Sequence, residues 1–376
     1  MVRSFLGAAE GIVEQSCYTE AWLEDFTEET PEMAKFTAEE LVGIGVKIFV
    51  AAGVAKATAT ELMKSLVLSN LLGVDSHGVV RIGQYMDALK SGAIVPDAEP
   101  RVLRENEAIV LLDGCKGFGQ IVSKKAVRIA MEKARRCGVG IACYSNVHHI
   151  GRLGEYVSLA AEENLIALMF VNGSRPGGLV APLGARQRVF GTNPIAFAIP
   201  AGSYSPVLAD FATSAVAEGK IRIAYRKGEK IPFGWVLDSE GRPTDQPADL
   251  YQGGALLTFG EHKGHALSLL VEVLGGILSG GDTPVFSDYK QLNNGVFALV
   301  IEPGFFRPLT EYRPAVDYLL TMVKHALPAQ GKQGALIPGE PEMACKAVRE
   351  KEGISIDDNT MVELKAIAAS LGVSID

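Results

Sequence analysis

The segment that most constrains this chain is a predicted strand, turn, helix and strand between residues 139 and 171. Residues 139–143 and 165–171 are apolar runs of strand length, and residues 156–164 place apolar side chains at helical spacing between them. The turn at residues 145–154 carries two adjacent histidines, an asparagine and an arginine. In such a turn, side chains can face a cleft and backbone N–H groups can meet an anion. The alternation of strand and helix, taken alone, suggests a doubly wound sheet.

His148 and His149 are neighbours in this turn, although the chain has only six histidines. A histidine pair in a glycine-rich turn indicates a functional site that faces a cleft. The alternative is a solvated turn in which the two side chains point opposite ways. Position alone leaves both interpretations open.

The composition is that of an ordinary globular protein, with 48% hydrophobic and 21% charged residues. A net charge of −8 argues against a general binder of nucleic acid or anionic membranes. The five cysteines include no C-x-x-C pair, which favours free thiols in a reducing compartment. No apolar run reaches the roughly 20 residues of a membrane-spanning helix, and residues 1–10 lack the apolar stretch of a signal peptide. We therefore expect a cytoplasmic protein.

A second histidine turn lies earlier in the chain. Helices predicted over residues 38–52 and 58–72 lead to Asp75-Ser76-His77-Gly78, and a further helix is predicted over residues 80–90. Arg81 should lie one helical turn past His77, near the same face. Because a guanidinium is a planar, bidentate anchor for carboxylates, this pair suits a carboxylate-bearing substrate.

Residues 113–120 imitate a dinucleotide-binding loop, since they follow a strand and open a helix predicted over residues 122–136. Val122 replaces the third glycine of G-x-G-x-x-G, and no acid ends a strand about 20 residues further on. A tight turn that packs the strand against the helix is the better interpretation.

Glycine- and proline-rich segments between residues 172 and 194 predict an ordered loop that lines a site. After two short strands, residues 210–214 form a small polar turn that could meet a phosphate or ribose. The equally natural alternative is a helix start capped by Thr213 or Ser214.

His262 and His265 open an apolar helix predicted to run through residue 279. Two histidines three residues apart could ligate a metal, but H-E-x-x-H is absent and the ligand set is incomplete, so no metal is expected. A helix N-terminus beside Lys263 suits an anionic cofactor better. A strand at residues 296–301, a helix at 309–326, a loop at 337–342 and two terminal helices complete the prediction.

Histidine is the residue type that carries chemistry in these turns. No G-x-S-x-G elbow, Walker loop or zinc-ligand set competes with it. Histidine without a nucleophile or metal suggests general acid–base catalysis near neutral pH. A coherent scheme is a carbonyl substrate held by Arg81 and protonated by histidine as a hydride arrives.

The order of the motifs is more specific than any one of them. They are Asp75-Ser-His-Gly78, Asp113-Gly114, Gly117-Phe-Gly-Gln120, Asn146-Val-His-His-Ile-Gly151, Gly191-Thr-Asn-Pro194, Asp210-Phe-Ala-Thr-Ser214, Gly219-Lys220, Glu261-His-Lys-Gly264 and Pro338-Gly-Glu340. Through them the chain, from about residue 36 to 375, resembles the malate/L-lactate dehydrogenase family of nicotinamide-dependent oxidoreductases, which lacks a Rossmann domain. Residues 148–152 and 257–263 look most like its hydroxycarboxylate dehydrogenase B branch, which reduces 2-oxo acids.

The resemblance implies an α/β (α+β) fold in which a large, mainly antiparallel sheet binds NAD or NADP, and it overrules the doubly wound sheet. It implies a helical, dimerising domain from residues 36–105 with 305–376 and an NAD(P)-binding domain from residues 106–304. Residues 1–35 are then an acidic extension, partly helical or mobile. A homodimer with the site near the subunit interface is expected.

Site residues follow from the positions that match the family motifs. Proton transfer is assigned to His77 or His149, and Ser76 and Arg81 fall in the substrate pocket. His148 stands where many members have asparagine, so it is a neighbour rather than a catalytic residue. The expected cofactor contacts are His77, Gly151, Arg152, Leu153, Leu208, Ala209, Asp210, Phe211, Ala212, His262, Asn294, Gly339, Glu340, Pro341 and Glu342.

The implied function is interconversion of a small 2-hydroxy acid and a 2-oxo acid with NAD or NADP, and no nucleic-acid or membrane partner is expected. One alternative is a cyclic imine reductase or a ureidoglycolate dehydrogenase of the same family. Another is a non-enzymatic binding protein that retains the fold. The sequence does not discriminate NAD from NADP, because there is no Rossmann acid at the ribose.

Overall fold

The computed structural model describes residues 34–174, 177–285, 292–330 and 334–375. The predicted extension therefore lies outside the described residues as far as residue 33. The strands are β1 Lys35–Phe36, β2 Arg101–Glu105, β3 Ile109–Asp113, β4 Val139–Val147, β5 Ile166–Ser174, β6 Ile195–Ile199, β7 Val207–Phe211, β8 Val236–Leu237, β9 Pro243–Thr244, β10 Ala255–Leu256, β11 Asn293–Ile301 and β12 Ile354–Ser355. The helices are α1 Ala38–Ala51, α2 Lys56–Leu71, α3 Ile82–Lys90, α4 Gly119–Cys137, α5 Gly154–Glu162, α6 Glu218–Lys227, α7 Ala248–Tyr251, α8 His262–Val271, α9 Leu309–Lys324, α10 Glu340–Glu352 and α11 Asp358–Ser370. Two short 3₁₀ turns, Asp75–His77 and Val79–Arg81, precede α3, and a π-helical segment, Glu272–Ile277, continues α8.

A seven-stranded sheet in the order β2-β3-β4-β11-β5-β6-β7 forms the centre of the fold. Within it β3 and β4 pair in parallel, joined by α4, and the other neighbouring strands pair antiparallel. The mixed α/β class and the mainly antiparallel sheet are confirmed. The doubly wound sheet suggested by the alternating pattern is wrong, because β11 lies between β4 and β5 and pairs antiparallel with both, so only β3 and β4 are parallel neighbours.

The central strands are covered on both faces, which explains their nearly continuous apolar character. Alternate residues of β4 and β11, such as Tyr144 and Val296, join a hydrophobic core with α4 and α5. On the other face the π-helical segment lies on β5 and β11, where a Cβ on Gly275 would come within 3.0 Å of the Gly295 carbonyl oxygen. The helical irregularity thus lets backbone lie directly on the sheet.

A second core unites the two ends of the described chain. Residues of α1, α2 and α3, such as Phe49 and Met63, pack with Met361 and Leu364 of α11. The short strand β1 pairs with β12, so that Phe36 lies opposite Ile354. This helical core lies beside the sheet core, and Phe118 just before α4 belongs to it.

The helix predicted to begin at Val122 begins at Gly119 instead. A Cβ at Gly119 would come 2.6 Å from the carbonyl oxygens of His148 and His149. The glycine is therefore required by close backbone approach, and the turn packs α4 against the histidine turn.

Two other element predictions are wrong. No helix begins at Thr213 or Ser214: Thr213 Oγ1 donates to the Asn193 carbonyl at 3.0 Å, and Ser214 Oγ donates to the Val216 carbonyl at 2.8 Å. The long helix predicted from His262 is confirmed as far as residue 277, with its part after residue 271 in the π-helical form. Residues 340–342, expected in a loop, form the first turn of α10, because Gly339 at φ +102° ends the preceding extended path.

Among the described residues no helix is long and apolar enough to cross a bilayer. Four described cysteines, at positions 115, 137, 143 and 345, are free thiols.

We predict that Gly140→Ala in β4 lowers the free energy of unfolding by about 3 kcal/mol, because its Cβ would lie 1.9 Å from the Ala130 carbonyl oxygen of α4. The matched control is Gly43→Ala in α1, where a Cβ meets nothing within 4 Å. This control should gain about 0.5–1 kcal/mol from helix propensity. Urea unfolding of both variants measures the difference, and equal stability of the two would contradict the packing described here.

Candidate active site

His77 and His149 come together although they lie on different parts of the chain. Their rings stack with centroids 5.6 Å apart and planes 28° from parallel. His77 ends the 3₁₀ turn after α2, and His149 follows β4. Both rings are half-buried. The structure therefore joins the two predicted histidine turns into one site.

The turn that carries His77 is held by its neighbours in the motif. Asn70 of α2 donates from Nδ2 to Asp75 Oδ1 at 2.6 Å and accepts from the Val79 N–H at 2.9 Å. Arg349 of α10 pairs with Asp75 at 2.7 Å. Asp75 thus positions the turn and is already engaged by protein groups.

The turn that carries His149 is held by the neighbouring strand β11. The Val147 N–H donates to Asn293 Oδ1 at 3.2 Å, and the Ile150 N–H donates to Asn294 Oδ1 at 3.0 Å. Asn294, which was predicted to contact the cofactor, is buried. Its side-chain Oδ1 orients the histidine turn by accepting this hydrogen bond.

The adjacent histidines of this turn have different environments. His148 is 6% exposed, and its Nδ1 has no hydrogen-bond partner among the described residues. Its ring packs edge-on against Tyr85 at 6.0 Å. The solvated-turn alternative is wrong, since the His148 ring is part of the protein interior.

Arg81 is a half-buried cation beside the histidine pair. Its Nε donates to the Ser76 carbonyl at 2.6 Å and its Nη1 donates to Gln84 Oε1 at 2.8 Å. Its Nη2 has no hydrogen-bond partner among the described residues. Burial lowers the pKa of Arg81, and the nearby charge of Arg222 adds to this effect. Two hydrogen bonds thus fix the Arg81 guanidinium, and its Nη2 remains available as a donor.

Helix α6 covers this region from the side of Ser76. A Cβ on Gly219 would lie 3.6 Å from the Ser76 Cβ. Glu218, which begins α6, accepts from the Tyr251 hydroxyl at 2.9 Å and forms an ion pair with Arg222. Arg222 of α6 thereby lies close enough to Arg81 to help lower its pKa.

Burial, together with nearby positive charges, keeps both paired histidines neutral. Burial, with the positive charges of Arg81 and Arg152, lowers the pKa of His77 to about 3. Burial, with Arg81 and the neighbouring histidines, lowers the pKa of His149 well below its usual value. Both side chains are therefore neutral imidazoles at pH 7 in the ligand-free protein.

Arg152 is a buried cation near the carboxylate of Asp210. It is 7% exposed, and its Nε lacks a hydrogen-bond partner among the described residues. Asp210 Oδ2 accepts from the Gly154 N–H at 2.7 Å, at the N-terminus of α5. Burial raises the pKa of Asp210, against the opposing effects of Gly154 and Arg152, and the charge of Glu342 raises it further. Glu342 Oε2 is also buried without a partner among the described residues.

The remaining predicted cofactor residues divide between two places. Residues 208–212 run along β7 into the loop after it, next to the start of α10, where the Leu208 N–H donates to the Pro338 carbonyl at 2.9 Å. A Cβ on Gly339 would lie 3.2 Å from the Leu208 Cβ, and Pro341 follows in the first turn of α10. Glu340 accepts from the Ile337 N–H and pairs with Lys324, both at 2.9 Å.

His262 lies elsewhere, exposed at the start of α8. The preceding residue, Glu261, lines a cavity of about 820 Å³ together with Arg186 and Thr258. The stacked histidines are not in its wall, so the structure separates this cavity from the candidate acid–base pair.

Sequence reasoning missed a buried network around Glu272, which is 4% exposed. Its carboxylate accepts from Asn193 Nδ2 at 2.8 Å, Asn172 Nδ2 at 2.5 Å and the Gly191 N–H at 3.3 Å. The sequence feature that could have revealed this network is a glutamate within an otherwise apolar helix. The network gives the Gly191-Thr-Asn-Pro194 motif a structural role.

Tyr85 was also missed. It is a fully buried residue of α3 whose hydroxyl lies 2.9 Å from His149 Nδ1. The signal was a tyrosine on the core face of an amphipathic helix, where its hydroxyl needs a partner.

The comparisons with known proteins agree with these motifs. A family model described as malate/L-lactate dehydrogenase matches residues 36–365. Malate dehydrogenase of Pyrococcus abyssi is 38% identical over 345 residues, which cover 89% of this chain and 94% of that protein. Hydroxycarboxylate dehydrogenase B of Escherichia coli is 33% identical over 346 residues, covering 90% and 95%. Sulfolactate dehydrogenase of Methanocaldococcus jannaschii has a solved structure that matches with a TM-score of 0.84 at 35% identity, covering 91% of this chain and 98% of that one.

We predict that the protein loses stability below pH 6.5, partly through His148. Burial lowers its folded-state pKa to about 4, so the unfolded chain binds the proton first as the pH falls. The free energy of unfolding keeps its full value with respect to His148 above pH 6.5. It should fall by about 2 kcal/mol at pH 5 because of this residue. Urea unfolding at pH 7 and pH 5 should show a smaller loss for His148→Gln than for the unaltered protein. His325→Gln, at an exposed position, is the control; an equal loss in all three proteins would refute the assignment.

Proposed function

The chain belongs to the malate/L-lactate dehydrogenase family, and on this premise we propose that it is an NAD(P)-dependent oxidoreductase interconverting a small 2-hydroxy acid and the corresponding 2-oxo acid. The family contains hydroxy acid dehydrogenases and related imine reductases. The observation that carries the proposal is the stacked pair of His77 and His149 beside Arg81.

Arg81 anchors the substrate carboxylate in this proposal. Contacts with Ser76 and Gln84 fix its guanidinium and leave Nη2 available. An Arg–carboxylate contact is charge-assisted and directional, so it orients the carbonyl at C2 toward the histidines.

Proton transfer is the task of the histidine pair. Since both imidazoles are neutral in the ligand-free protein, substrate binding must change their environment. A carboxylate on Arg81 offsets a positive charge that helps to lower both pKa values, and it thus favours protonation of one of the two imidazoles. The anionic end of the substrate therefore prepares the acid that protonates its carbonyl oxygen.

The residues present fit a nicotinamide cofactor on the other side of the histidines. The buried Arg152 Nε–H lacks a hydrogen-bond partner among the described residues, and the adjacent Gly151 adopts φ +77°, a conformation that favours glycine. In this proposal Arg152, residues 151–153, residues 208–212 and the first turn of α10 hold the cofactor without a Rossmann loop. When bound, the cofactor supplies or accepts the hydride. The free thiols support a reducing, cytoplasmic setting.

We predict that the purified protein oxidises NADH or NADPH only in the presence of a 2-oxo acid. The compounds to be tested with reduced cofactor are pyruvate, oxaloacetate, 2-oxoglutarate, an aromatic 2-oxo acid and cyclic imine carboxylates. Ureidoglycolate is tested with oxidised cofactor. Activity confined to the imines or to ureidoglycolate would replace the proposed substrate class. Cofactor binding without turnover on any compound would favour a binding protein.

We further predict that His77→Ala and His149→Ala each lower kcat by about 10²–10⁴, the usual contribution of general acid–base groups. Arg81→Met should instead raise the KM for the oxo acid, because it removes the carboxylate anchor. His325→Ala, in the exposed turn after α9, is the control. Full activity in either site variant, with folding intact, would remove that histidine from the mechanism.

We also propose a homodimer. Its support is a set of exposed apolar side chains along α8 and the helical segment after it, namely Leu269, Leu270, Val273, Ile277 and Leu278. Such contiguous apolar surface is typical of interfaces. Light scattering should give twice the mass of the chain, and Ile277→Arg should shift it to the monomer. A monomer in the unaltered protein would refute the dimer.

A further inference from the structure

The hydroxyl of Tyr85 bridges two side chains at the base of the candidate active site. Gln120 of α4 donates from Nε2 to this hydroxyl at 2.6 Å, and the hydroxyl lies 2.9 Å from His149 Nδ1. Both Tyr85 and Gln120 are fully buried. Nothing in the motif pattern assigns a role to either contact.

We propose that Tyr85, backed by Gln120, is a positioning residue that fixes His149 in the tautomer with its proton on Nε2, so that the neutral His149 polarises the substrate carbonyl as a hydrogen-bond donor while His77 transfers the proton. This inference rests on the proposed function and extends it by assigning distinct roles to the two histidines.

The tautomer follows from counting donors. A phenol has one proton to donate, and Gln120 can give one of its amide protons to the phenol oxygen. Because the phenol oxygen accepts from Gln120, His149 Nδ1 is the partner that remains for its own proton. With Nδ1 as the acceptor, a neutral imidazole carries its remaining proton on Nε2.

The phenol remains a stable donor because it is held on several sides. Burial raises the pKa of Tyr85 to about 12, so the hydroxyl stays protonated at neutral pH. The ring packs edge-on against Phe118 at 6.2 Å and His148 at 6.0 Å. These contacts leave little freedom to break the hydrogen bond with His149.

His77 lacks an equivalent constraint. Its Nδ1 lies 2.9 Å from Ser76 Oγ. A serine hydroxyl rotates and can either donate or accept, so it suits both tautomers of His77. The geometry therefore distinguishes a histidine with a fixed donor nitrogen from one that can adapt to substrate and cofactor.

The first test reads the tautomer directly. Long-range proton–nitrogen NMR of protein labelled with ¹⁵N-histidine distinguishes the protonated from the unprotonated ring nitrogen, and His149→Gln identifies the His149 signals. We expect Nε2 protonated and Nδ1 unprotonated at pH 7 in the unaltered protein. A proton on Nδ1 overturns the inference without any measurement of activity.

The second test compares two buried tyrosines. Tyr85→Phe removes the donor to His149, whereas Tyr144→Phe removes an equally buried hydroxyl that donates to Ser123 Oγ at 2.7 Å. For Tyr85→Phe we expect kcat for oxo-acid reduction to fall by about tenfold to a hundredfold, with both KM values within about threefold. Tyr144→Phe should keep kcat within about twofold of the unaltered protein.

The outcomes separate this inference from the proposed function. Equal kcat values for the two tyrosine variants overturn the positioning role alone. Absence of turnover by the unaltered protein overturns the proposed function and the catalytic part of the inference with it. If Tyr85→Phe does not fold, the tautomer measured in the unaltered protein still decides.

Discussion

The contact between Gly119 and the carbonyl oxygens of His148 and His149 is the constraint on which the site depends. It brings the start of α4 against the turn after β4 so closely that no side chain fits between them. Gln120, the next residue of α4, is thereby delivered beneath Tyr85 and the histidine turn. One close backbone approach therefore links the sheet core, the helical core and the candidate acid–base pair. Loss of this approach would separate His149 from the groups that orient it.

Nearby charged side chains influence the protonation of the histidine pair. Arg81 and Arg152 lie near the half-buried His77 and help to keep it neutral. A site with cations beside the histidines favours an anionic ligand, because an added carboxylate offsets the effect of these charges on the histidines. The low pKa values of His77 and His149 in the ligand-free protein thus agree with general acid catalysis that begins after an anion binds.

Motif residues at the site either build its geometry or remain available to ligands, and a sequence does not distinguish these two roles. Asp75 and Asn294 are engaged by backbone and side-chain groups that shape the two histidine turns. Asp210 accepts from the first N–H of α5. Arg152, in contrast, keeps its Nε without a partner among the described residues, and the hydrogen bonds of Arg81 use only its Nε and Nη1. The first group builds the geometry, and the second is available to ligands.

The sequence by itself determined the family and most of the elements and named the candidate acid–base residues, because these depend on local patterns and ordered motifs. Periodicity placed α4, β4 and α5 within a few residues of their observed bounds. Local pattern did not determine strand order, so one strand–helix–strand unit wrongly suggested a doubly wound sheet. Only the tertiary structure brought His77 to His149, and only it set Tyr85 against His149 Nδ1. The physical reason is that these contacts join α3, α4 and the turn after β4, whose separations are set by packing of two cores rather than by spacing along the chain.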